Sequence, residues 1–194
     1  MNATGRRVVV TGMGIASPLG LGVEHVWKKL LAGTSGISAI QSFDVTDLAA
    51  KIAGQVPAGA KEDGGLTLSD WIPIKDQKKM DRFIHLGLVA AIEAVEDSGW
   101  KPTDEADQDA TGVMIGSGIG GLQTIYDGAV LVHEGRVKRL SPFFIPAALI
   151  NLASGHLSIK YGFRGPNHSA VTACATGVHA IGDAARLICG ATRM

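Results

Sequence analysis

What this sequence has little of narrows its reading first. Aromatic residues make up only 5% of its 194 residues, so the core must be built from small and aliphatic side chains. Two cysteines supply neither a disulfide framework nor a metal cluster, and they fit a reducing cytosol. Basic and acidic residues cancel at 18 each, which removes any global charge argument for nucleic acid or a membrane surface as partner. No run approaches the ~20 apolar residues of a membrane span. Arg6 and Arg7 precede an apolar run too short for the core of a signal peptide. Low-complexity tracts, linkers and short repeats are lacking as well.

Glycine, in contrast, is plentiful. It occurs 26 times, well above the usual ~7%. In a chain without low complexity, that predicts tight turns and close backbone contacts. The length suits one domain with a sizeable core. Strands are predicted at residues 7–11, 51–56, 111–116 and 167–171. The run Val8-Val9-Val10 reads as a strand buried on both faces, as in the centre of a layered α/β sheet. Helices are predicted at 23–32, stopped by Gly33, and at 76–98, stopped by Gly99. The stripe Met80, Phe83, Ile84, Leu88, Ala91, Ile92 and Val95 marks the second of these. Further helices are expected at 122–133, 147–159 and after residue 176. Residues 101–109 read as a polar loop and 141–146 as an apolar loop bracketed by prolines. The alternation of strands and helices argues for α/β with parallel strands.

The stretch Thr172-Ala173-Cys174-Ala175-Thr176-Gly177 stands between a predicted strand and a predicted helix. Free amide N–H groups and the positive end of the helix dipole point at Cys174 there. A thiol so placed ionises more readily, and the thiolate is the nucleophile. The alternative is a structural cysteine in a turn of small residues. His179, His156 and His168 read as structural, and Cys189 as a buried or incidental thiol.

Gly116-x-Gly118-x-x-Gly121 follows a strand and precedes a helix, which matches the dinucleotide fingerprint. No second strand ending in an acid follows at ~20 residues. The other reading is that these glycines let backbone pass close to a neighbouring element.

Several phrases together resemble the elongating β-ketoacyl-[acyl-carrier-protein] synthases, closest to the synthase II type. They are Val8-Val9-Val10-Thr11-Gly12-Met13-Gly14, Ser17-Pro18-Leu19-Gly20, Gly116-Ser117-Gly118-Ile119-Gly120-Gly121, Ser141-Pro142-Phe143-Phe144-Ile145-Pro146, Tyr161-Gly162-Phe163-Arg164-Gly165-Pro166 and the stretch around Cys174. They occur in family order and span residues 6–190. The resemblance implies the N-terminal half of a thiolase-like, layered α/β/α/β/α fold. It implies that Cys174 takes an acyl chain from carrier-protein thioester. Malonyl-carrier protein then decarboxylates, and its carbanion attacks the acyl-enzyme to give a 3-oxoacyl chain. The Cys174 N–H would be one oxyanion-hole donor. Ile119 matches the residue gating the acyl pocket. Phe144 and Ile145 match the loop lining that pocket, across a homodimer interface, with ordinary core as their alternative. Lys75, Lys78, Lys79 and Arg82 would dock the acidic carrier protein, against the alternative of a solvated face. No cofactor or metal is implied, and the compartment is the cytoplasm.

Departures lie at the end of the chain. The two catalytic histidines of the family, and the phenylalanine whose amide completes the oxyanion hole, belong to a second half. Residues 1–190 therefore read as the first half, and 191–194 as a tail foreign to the family. Where Ala191-Thr192-Arg193-Met194 stands, the family has Asp-Ala-Asp-Val. GCG ACG CGG ATG TGA would encode the tail and a stop. Shifted by one base it contains GAC GCG GAT GTG, which encodes the family version. A frameshift that truncates the chain is the expectation. Such a chain should be poorly stable or self-associating, and unable to complete the condensation. The competing functions are a nicotinamide-dependent oxidoreductase resting on the glycine loops, a non-condensing chain-length-factor-like subunit, which Cys174 argues against, and a non-functional fragment.

Overall fold

The computed structural model describes residues 7–190. Residues 191–194, expected to be a tail foreign to the family, therefore lie outside the described residues.

Elements follow in chain order. A tight hairpin comes first, β1 (Ala16–Ser17) against antiparallel β2 (Gly20–Leu21). It leads into α1 (Val23–Leu31), which ends at Ala32 and turns at Gly33 with φ 66°. β3 (Ile37–Ala39) pairs antiparallel with β4 (Ile52–Gly54), inside the expected 51–56 segment. Next come α2 (Ile74–Gln77) and the long α3 (Arg82–Ser98). The predicted helix 76–98 is thus two helices. Asp81 breaks it, because its side chain turns to accept the Phe83 N–H as the cap of α3. Gly99 ends α3 with φ 66°, the left-handed turn glycine tolerates.

The expected loop 101–109 contains α4 (Glu105–Ala110). Asp104 caps it by accepting the Asp107 N–H at 2.9 Å. A short helix polar on every side shows no apolar periodicity, so the pattern hid it. β5 (Val113–Met114) is followed by the glycine loop and α5 (Leu122–His133), at the predicted bounds. α6 (Phe144–Ala148) and α7 (Leu152–Tyr161) replace the single helix expected at 147–159. The break at Leu149, with ψ 132°, leaves the Ala148 carbonyl free to accept the Gly121 N–H at 3.0 Å. β6 (Asn167–His168) lies parallel to β5, and α8 (Thr176–Gly190) ends the described chain. β5–β6 is the one parallel strand pair among the described residues.

α3 is the central element. One face packs with Ile72, Val113, Ala153, Leu157 and Phe163 through Ile84, Leu88 and Ile92. Its other face buries Val89 against Leu21 and Leu66. Its acidic side holds the N-terminal segment. Glu93 accepts the Ile15 N–H at 2.9 Å and the Val23 N–H at 3.0 Å, and Asp97 accepts the Met13 N–H at 2.9 Å. Gly14 makes that approach possible, since a Cβ there would stand 1.9 Å from the Ala90 carbonyl oxygen.

The expectation for Val8, Val9 and Val10 is corrected. They are exposed, Val9 by 69% and Val10 by 78%, and form no strand ladder among the described residues. A run buried on both faces needs neighbours on both edges; here the segment that follows them rests on α3 alone. No described helix is long and apolar enough to cross a membrane.

Candidate active site

Cys174 sits on an elbow between β6 and α8. Ser169 leaves the β5–β6 pair by donating its hydroxyl to the Ile115 carbonyl at 2.5 Å. Thr172 follows with φ −139° and ψ 42°, and Ala173 turns the chain at φ 49°. Among the described residues Ala173 is the one non-glycine with positive φ, a region L residues enter only under constraint. A single 3₁₀ turn (Ala173–Ala175) carries Cys174 into the first turn of α8. The thiol is exposed. The Cys174 N–H has no acceptor among the described residues. The elbow is therefore open to an incoming carbonyl, with a sulfur and a free amide on the same residue.

The glycine loop lies directly under it. A Cβ on Gly116 would stand 2.2 Å from Thr176 Cγ2 and 2.7 Å from the Ala170 carbonyl oxygen. One on Gly118 would stand 3.4 Å from Ala173 Cα. On the far side, Gly120 and Gly121 press on α6, with virtual Cβ positions 2.7 Å from the Ala148 oxygen and from Ala148 Cα. These glycines fill their space with the chain's own backbone, the close-approach reading of the loop.

The same loop joins the candidate pocket residues. Ile119 stands out from it, 69% exposed. Ile145 on α6 is 58% exposed, while Phe144 is half-buried against Gly128 of α5. Phe144 lines an open hollow of about 470 Å³ with Ile125, Gly128, Ala129, Val132 and Leu140, almost wholly apolar. Elbow, glycine loop and α6 thus form one continuous set of contacts.

Lys75 on α2, Lys78 after it and Arg82 on the first turn of α3 are exposed and enter no ion pair among the described residues. Lys79 differs: it is half-buried, bonds Asp76 at 2.7 Å and stands 5.7 Å over the Phe143 ring. That contact brings the basic ledge beside α6. His179 reaches back to the elbow, its Nδ1 hydrogen-bonded to Thr172 Oγ1 at 2.5 Å. His85 and His156 lie behind α2. Burial lowers both imidazoles from the ordinary histidine value, only partly offset at His85 by the Gln77 carbonyl. Among the described residues no group of three His, Cys, Asp or Glu side chains could hold a metal.

Sequence reasoning passed over two residues here. Asp81, 8% exposed, accepts the Thr124 N–H at 2.9 Å and its hydroxyl at 2.7 Å, which ties α3 to the first turn of α5. Thr176, 4% exposed, accepts the Thr172 N–H at 2.8 Å. An aspartate two residues before Phe83 is a recognisable cap signal; its partner 43 residues on is not.

The structure thus presents a cysteine at an exposed strand-to-helix elbow, packed on a glycine loop. The family model for the N-terminal domain of β-ketoacyl synthases matches residues 5–193, and the chain belongs to that family. It is 52% identical over 183 residues to 3-oxoacyl-[acyl-carrier-protein] synthase 2 of Rhizobium meliloti (strain 1021), covering 94% of this chain and 44% of that protein. It is 47% identical to the mitochondrial 3-oxoacyl-[acyl-carrier-protein] synthase of Arabidopsis thaliana, covering 94% of this chain and 42% of that one. Among solved structures it resembles the ishigamide ketosynthase/chain length factor, with TM-score 0.77 and 25% identity over 95% of this chain and 44% of that one. It also resembles a ketosynthase captured with its type II PKS acyl-carrier protein, with TM-score 0.68 and 26% identity over 94% of this chain and 46% of that one. The chain thus spans less than half the length of the relatives it matches.

Proposed function

We propose that this chain carries the nucleophilic cysteine of a 3-oxoacyl-[acyl-carrier-protein] synthase, an acyltransferase of fatty-acid elongation. The Cys174 thiolate attacks the carbonyl carbon of an acyl thioester on carrier protein. A tetrahedral intermediate forms, with its oxyanion beside the free Cys174 N–H. It collapses to acyl-Cys174 and releases the carrier-protein thiol. In the whole protein, malonyl-carrier protein then loses CO₂, and its carbanion attacks acyl-Cys174 to give the 3-oxoacyl product and regenerate the thiolate. Neither step calls for a cofactor.

The remaining residues take roles that follow from their positions. Ile119, exposed on the loop beneath the elbow, gates the acyl chain. Phe144 and Ile145 line its path, completed by a second copy in a homodimer. Lys75, Lys78, Lys79 and Arg82 form the docking ledge for acidic acyl carrier protein, steered by charge. The setting is the cytoplasm. The observation that carries the reading is the exposed Cys174 on its left-handed elbow, in a chain of this family.

Intact mass after incubation with acyl-carrier-protein thioester tests it. The expected result is a gain of one acyl group that Cys174→Ala abolishes. A chain with folded circular dichroism and no mass gain would overturn acyl transfer by these residues alone.

A further inference from the structure

The elbow holds a conformation that its own residues disfavour. Ala173 stands at φ 49°, and such a residue stays there only when its surroundings over-determine it. Thr176 supplies that constraint from below. Its hydroxyl accepts the Thr172 N–H at 2.8 Å, closing a short loop of chain with Cys174 near its tip. Its methyl sits in the notch at Gly116, where a Cβ would come within 2.2 Å of Cγ2. The two contacts act on one χ1. A rotation that withdraws the methyl also swings the hydroxyl away from Thr172. A helix-capping side chain reaches forward to the amides of the next turn. Thr176 reaches backward, to an amide outside α8, so its hydrogen bond serves the elbow rather than the helix.

We infer that Thr176 is the positioning residue of Cys174: its buried hydroxyl, bonded to the Thr172 amide, keeps the elbow bent and the thiol presented at its tip. It touches no reacting atom and acts through Thr172 and Ala173. The inference rests on reading Cys174 as the acyl acceptor.

The test is the rate of Cys174 alkylation by iodoacetamide in the intact chain, read by peptide mass so that Cys189 is counted separately. Thr176→Val keeps the shape and removes the acceptor. Thr176→Ser keeps the acceptor and removes the methyl. The expected outcome is a slowing of about tenfold for valine, as for other displaced reacting groups, with serine within about twofold of the parent. Thr176→Ala gives the same comparison with serine if valine fails the circular-dichroism check. Two results would overturn the positioning role: a valine or alanine variant alkylated at the parent rate, or a serine variant slowed as much as they are. A folded parent whose Cys174 reacts no faster than glutathione would overturn the acyl-acceptor reading itself, and the positioning role with it.

Discussion

At the scale of single residues, two side chains carry more than their type suggests. Asp81 is nearly buried and satisfies three donors: the Phe83 amide, the Thr124 amide and the Thr124 hydroxyl. Replacing it by alanine leaves those groups without their acceptor and removes the cap of α3. The expected cost is about 2 kcal/mol, with Asp81→Asn milder because asparagine also caps. Thermal melts of the two variants check the order; equal melting temperatures would contradict it. Ala173 is the second case. A β-branched side chain is poorly tolerated at φ 49°, so Ala173→Val should cost about 1–2 kcal/mol. It should also slow alkylation of Cys174 by iodoacetamide while the chain stays folded by circular dichroism. Ala173→Gly, free in that region, should keep both.

At the scale of elements, two of the contacts that hold α3 each make a separate prediction. On the N-terminal side, Gly14 lies so close that a methyl group would meet the Ala90 carbonyl at 1.9 Å. Backbone cannot yield as a side chain can, so Gly14→Ala should destabilise by about 2–3 kcal/mol. Chemical denaturation with an unchanged slope checks that. On the side facing α2 and α7, His85 bonds the Gln77 carbonyl, and His156 is half-buried beside Asp76 and Lys79. Burial depresses both imidazoles. The unfolded chain takes up protons there near pH 6.5, where the folded chain does not. Stability contributed by the neutral rings is therefore full above about pH 6.5 and is lost as pH falls toward their folded values. Melting temperatures should fall from pH 7 to pH 5.5, and His156→Leu should flatten that fall. A steeper slope in the variant would refute the assignment.

At the scale of the whole molecule, apolar surface is the dominant feature. Val9, Val10, Val178 and Ile181 are each more than two-thirds exposed, and Leu31 and Ile159 likewise. Exposed apolar side chains in such number favour association in water. Self-association rising with concentration is the expected behaviour in sedimentation velocity. Val178→Glu with Ile181→Lys, two exposed positions on α8, should shift the chain toward monomer without lowering helix content. Unchanged association would place the sticky surface elsewhere.

Sequence by itself determined what depends on near neighbours. Helical periodicity and stop glycines located α1 and the end of α3, and the strand segments expected at 51–56 and 111–116 contain β4 and β5. The junction at Cys174 was legible because strand, small residues and helix succeed one another in the chain itself. Tertiary structure alone decided what depends on distant partners. Val8-Val9-Val10 reads as core by composition, yet burial is a property of what packs on a segment, and here both outer valines stay open. The glycine loop satisfies a nucleotide fingerprint letter by letter, yet what its glycines admit is close approach to the elbow and α6, where added side chains would clash. Glu93 looks like a solvated helix charge until its carboxylate meets the Ile15 amide, 78 residues away. Local pattern encodes backbone conformation, whereas close packing and paired buried charge are set between segments, and no spacing within one segment records them.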